Sequence, residues 1–69
     1  MERKPELLQV LRVLLSDVFT AQTTGASGQK LVRAFGYADG YMRALIEAGI
    51  VPRDELLELV AQERRRIAA

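Results

Sequence analysis

The sequence predicts an all-α, three-helix domain, and two observations carry that expectation. Three stretches space their apolar residues at the 3.6-residue period of an amphipathic helix. They are divided by a Gly/Ser/Thr cluster at 23–28 and by a short turn at 49–51, and Pro5 and Pro52 stand where first helical turns accept proline. The reading over residues 1–69 is one helical domain with helices at about 5–22, 28–48 and 52–67. Helix 1 is long and apolar, helix 2 is central, and an αα-hairpin leads to helix 3. The whole is expected to work as a homodimeric helical bundle.

Residues 1–4 read as a frayed end. Helix 1 then carries Leu7, Leu8, Val10, Leu11, Val13, Leu14, Leu15, Val18 and Phe19. Leu7, Leu11, Leu14 and Val18 lie near the middle of this stripe. Val10 and Val13 widen it on one margin, and Leu8, Leu15 and Phe19 on the other. A stripe so broad exceeds what one pair of neighbouring helices covers. Val10, Val13 and Phe19 are therefore assigned to an oligomer interface.

The linker TTGASG is a loop, with Ser27 as the N-cap of helix 2. Its GASGQK segment falls short of a phosphate-binding loop. It lacks the longer glycine spacing, the Ser or Thr after the lysine, and a preceding strand.

Helix 2 places Leu31, Ala34, Phe35, Tyr37, Ala38, Tyr41, Met42, Leu45 and Ile46 on one broad face. Gln29, Arg33, Arg43 and Glu47 lie opposite. Asp39, Arg43 and Glu47 form an i, i+4 ladder. Gly49 is expected to close the helix in the left-handed conformation. Gly36 and Gly40 have no such role and each costs about 1 kcal/mol against alanine inside a helix. A bend, a close backbone approach or an exposed ligand-facing backbone are the three readings of that pair.

Helix 3 has Asp54 and Glu55 in its first turn and Arg64, Arg65 and Arg66 in its last turns. Both signs suit the helix dipole. Leu56, Leu57, Leu59, Val60 and Ile67 form its inward seam. Glu63 falls on that seam and needs an arginine partner if it is enclosed.

Composition narrows the function. Sixty-nine residues supply a small core. The chain has no cysteine and no histidine, so disulfides, thiolate metal sites and the usual zinc sites are not expected, and no cofactor is. Oligomerisation, beside simply very good helix packing, is the remaining remedy for so small a core. Net charge is +1, which makes no overall case for nucleic acid or a membrane surface. No apolar run is long enough to cross a membrane. The N-terminal stretch is interrupted by Arg12 and Asp17, unlike a signal peptide, so a cytoplasmic protein is expected.

Without histidine or cysteine the catalytic inventory is thin, and no enclosed acid–base pair can be argued. No catalytic or metal-ligating residue is expected. Arg33, Tyr37 and Tyr41 run along one edge of helix 2 at i, i+4, i+8. Tyrosine and arginine are favoured at the energetic centres of protein interfaces, so these three are the candidate partner-binding residues. Arg64, Arg65 and Arg66 are the basic cluster on which an alternative, nucleic-acid-binding role would rest. A helix-turn-helix reading would begin its recognition helix with Arg53, Asp54 and Glu55, and two carboxylates there repel phosphate. The function expected is a non-enzymatic helical interaction or adaptor protein that binds itself and an unidentified protein partner.

Overall fold

Residues 3–68 are described by a computed structural model. The expected frayed start at residues 1 and 2 lies outside them. Three helices follow in order: α1 (Lys4–Thr24), α2 (Gly28–Glu47) and α3 (Arg53–Ala68). There is no strand among the described residues.

Local chemistry sets the ends. Pro5 lies in the first turn of α1, where its missing N–H is not needed. Gly25 closes α1 with φ 70°, and the amide of Ala26 donates to the carbonyl of Ala21 at 3.0 Å. Ser27 caps α2, its hydroxyl accepting from the amide of Lys30 at 3.3 Å. Gly49 ends α2 with φ 71°. The Gly49 and Ile50 amides donate back to the carbonyls of Ile46 and Leu45, the paired bonds of a Schellman turn. At the start of α3 the amide of Leu56 reaches the Pro52 carbonyl, and the Asp54 carboxylate accepts from the free amide of Glu55.

The topology is up, down, up. Tyr41 on α2 donates its hydroxyl to the Leu7 carbonyl at 3.0 Å, so the two helices run antiparallel. Lys4 pairs with Glu55, and Arg12 with Glu63, each across a separation of 51 residues. A constant separation means that α3 runs parallel to α1.

The sequence placed helix 2 at the centre; α1 takes that position instead. It packs against both α2 and α3, while contact between α2 and α3 is slight. The reason is the wider stripe. On α1, Leu11, Leu15, Val18 and Phe19 are buried, whereas α2 buries only Ala38 and Leu45 fully. Val51, Leu56 and Leu59 complete the core from the turn and from α3. Leu57, expected on the inward seam, is 62% exposed. It lies about 100° around the helix from the buried Leu56. The αα-hairpin of α2 and α3 is therefore open, with a groove left along its outer side.

Candidate interaction surface

Glu63 is the most enclosed ionisable side chain among the described residues, at 3% exposure. The seam position predicted for it is real, and it has two arginine partners. Arg66 donates through Nε and Nη2, at 3.1 and 2.8 Å, to Oε2. Arg12 donates from α1 to Oε1 at 3.2 Å. The Arg66 hydrogen bond is the largest influence and holds the Glu63 carboxyl below the ordinary carboxylate range; burial opposes it, and Arg12 adds to the lowering. The same pairing raises Arg66. Arg12 and Arg66 keep part of their surface in water, so the trio is a clamp between α1 and α3, beside an open cleft of about 400 Å³. No buried side-chain polar atom lacks a hydrogen-bond partner among the described residues.

The basic C-terminal cluster is largely committed. Arg64 lies over the Phe19 ring at 5.2 Å. Arg65 approaches Glu58 at 3.6 Å, and Arg66 is held by Glu63. These engagements support a structural role for the three side chains.

Phe19 is separated from Val10 and Val13. It is 6% exposed, on the α3 side of α1 and covered by Arg64. Val10 and Val13 stand exposed on the other margin. Val13 lines an open cleft with Arg12, Asp17, Glu63 and Arg66, whereas Tyr37 shares a shallow cleft with Asp17, Lys30, Arg33 and Ala34. Tyr37 is 66% exposed. Tyr41 is half-buried and anchored to Leu7. Arg33 has no carboxylate within ion-pairing distance among the described residues. Of the predicted edge, then, Tyr41 serves the fold, and Arg33 with Tyr37 faces outward.

The open side of the hairpin is a second surface, one that sequence reasoning missed. A groove of about 510 Å³ runs between α2 and α3, floored by Met42, Ile46, Leu56 and Leu57. Asp39, Arg43, Glu47 and Arg53 form its rim. Arg43 pairs with Asp39 at 2.9 Å. Farther along α2, Phe35 is 59% and Val32 71% exposed. The sequence placed Phe35 on the buried face; it stands about 60° around the helix from Ala38, beyond the reach of α1. A signal was present. Val32, Phe35, Asp39, Met42 and Ile46 follow one another at gaps of three, four, three and four, the spacing of a coiled-coil seam.

Gly36 and Gly40 lie on the polar side of α2, in line with Arg43 and Glu47. The helix runs unbroken through both, and a Cβ at either would meet nothing within 4 Å. Neither a break nor a close backbone approach within the chain explains them.

Comparison with protein-family models, curated proteins and solved structures finds no match to this chain. Among the described residues no group of three or more acidic side chains is placed to hold a metal ion. Among the described residues no helix is long and apolar enough to cross a membrane.

Proposed function

We propose that this chain is a non-enzymatic helical interaction module that acts as a homo-oligomer, a dimer in its simplest form, and presents a helical surface to a protein partner. The observation that carries this reading is an excess of surface. A compact monomer of this mass has about 4,300 Å² accessible; this chain exposes 4952 Å². Its radius of gyration is 12.3 Å, against about 11 Å for a compact chain of this length. The excess of about 600 Å² approaches the ~800 Å² that each partner gives to a standard interface. Six large apolar side chains are at least 47% exposed: Val10 and Val13 on α1, Val32, Phe35 and Tyr37 on α2, and Leu57 on α3. Patches of this kind on a soluble domain mark interaction sites.

Light scattering coupled to size exclusion at micromolar concentration tests it. The expected mass is twice the 7.7 kDa of one chain. A folded 7.7 kDa monomer across that range overturns the homo-oligomer reading. The nucleic-acid alternative would need Arg64, Arg65 and Arg66 free of their present partners, and no feature of the surface favours it over a protein interface. Binding to mixed-sequence DNA or RNA that falls steeply between 50 and 200 mM salt would reverse that preference.

A further inference from the structure

We infer that the self-association face is α2, and that a second copy of this chain docks antiparallel to it along the 32–46 seam. This rests on the homo-oligomer reading above and assigns its interface.

Three observations point to a second copy as the occupant. The first is shape. Val32 and Phe35 project from one end of the seam. The groove floored by Met42, Ile46 and Leu57 is open at the other end. Val32 and Ile46 lie seven residues either side of Asp39, and Phe35 and Met42 lie four before it and three after it. A two-fold axis beside Asp39 then sets Val32 of each copy level with Ile46 of the other, and Phe35 within one residue, about 1.5 Å, of Met42. Such an interface is isologous and closes on itself.

Charge is the second. The groove rim carries Asp39 and Glu47 against Arg43 and Arg53, two of each sign. A face without net charge meets its own copy without repulsion, whereas a uniformly charged face would call for an opposite partner. Asp39 is the one polar side chain on the seam, and Arg43 already neutralises it. A single polar residue at such a position fixes register and orientation.

The third is area. The surface in excess of a compact monomer, about 600 Å², is of the order that one partner contributes to a stable dimer. Gly36 and Gly40 do not carry the proposal. A Cβ at either meets nothing within the single chain.

The α1 margin is the competing face, and the experiment separates the two. The chain contains no cysteine, so a single introduced thiol reports one position. Under oxidising conditions Asp39→Cys should form a covalent dimer within minutes, because a residue beside a two-fold axis meets itself within disulfide reach. Val13→Cys should stay uncrosslinked on that timescale. By light scattering, Phe35→Glu should give a helical monomer, and Val13→Glu should remain dimeric. Phe35 is exposed in the single chain, so a charge there leaves the fold intact. A dimer that survives Phe35→Glu and is lost in Val13→Glu overturns the α2 assignment and leaves self-association standing. Crosslinking of Val13→Cys but not of Asp39→Cys does the same. A monomeric unmodified chain overturns both readings.

Discussion

Glu63 shows what a single residue decides here. It is a carboxylate placed where an apolar side chain would sit, and it is accommodated by two arginines that reach it from different helices. Removing the charge but keeping the shape, as in Glu63→Gln, leaves an amide N–H₂ against arginine donors. The loss should be about 1.5–3 kcal/mol in urea denaturation, the value of a charge-assisted hydrogen bond. Glu63→Leu should cost less. Arg12 and Arg66 can turn to water, and a leucine adds to the seam between Leu59 and Ile67. The pH dependence follows from the lowered carboxyl. A carboxylate whose folded pKa lies below its unfolded value of about 4.3 stabilises the fold above that value and ceases to as pH falls through the folded pKa. Acid denaturation should therefore soften below about pH 4.3, and Glu63→Leu should flatten that limb. An unchanged acid limb in Glu63→Leu would assign it to other carboxylates. The seam position of Glu63 was legible in the sequence by spacing alone. Arg66 was also within reach, one helical turn away. Arg12 was not, because 51 residues separate it from Glu63 and only the packing of α3 on α1 joins them.

The glycines are a second case at this scale. Gly36 and Gly40 have helical backbone and open space around their Cα atoms. Alanine at either should therefore stabilise a chain kept monomeric by Phe35→Glu, by about 1 kcal/mol each. Denaturant midpoints of Phe35→Glu with and without Gly40→Ala measure this. A lowered midpoint would reveal a neighbour that the single chain does not show.

At the level of elements, what could be read in advance is what is encoded within four or five residues. Ser27 as cap and Gly49 as terminator are local devices, and both are in place. Gly49 has φ 71°, so Gly49→Ala should cost about 1–2 kcal/mol through the left-handed conformation alone. Gly28→Ala has no such burden and should be near neutral; a comparable loss in both would mean that the turn is not the cause. Side assignment was not local. The helical wheel of α1 shows two margins of similar apolarity, Val10 with Val13 and Leu8 with Phe19, and gives no reason to prefer either. Packing of α3 covered the Phe19 margin and left the other bare. By the same token, the wheel of α2 gathered Phe35 and Tyr37 into one broad apolar arc. Only the narrow contact with α1 shows that both ends of that arc stay outside. The seam spacing on α2 was present in the sequence but was masked by that breadth.

For the whole molecule, the open question is whether folding and association are one event. Three helices that meet mainly through α1 enclose a thin core, and a domain this size holds only a few kcal/mol in reserve. If the dimer is the folded unit, unfolding releases two chains, and the melting temperature must rise with concentration. Its size can be worked out. A tenfold rise in chain concentration adds about 1.4 kcal/mol to the dimer. Unfolding entropy is about 2.1 cal/mol/K per residue, or roughly 0.29 kcal/mol/K for two chains of this length. The quotient is a rise of about 5 °C per tenfold increase, to be followed by circular dichroism from micromolar to hundreds of micromolar. The Phe35→Glu chain should show a lower melting temperature that does not move with concentration. A concentration-independent transition in the unmodified chain would mean that it does not associate with itself, its apolar faces being left for another protein.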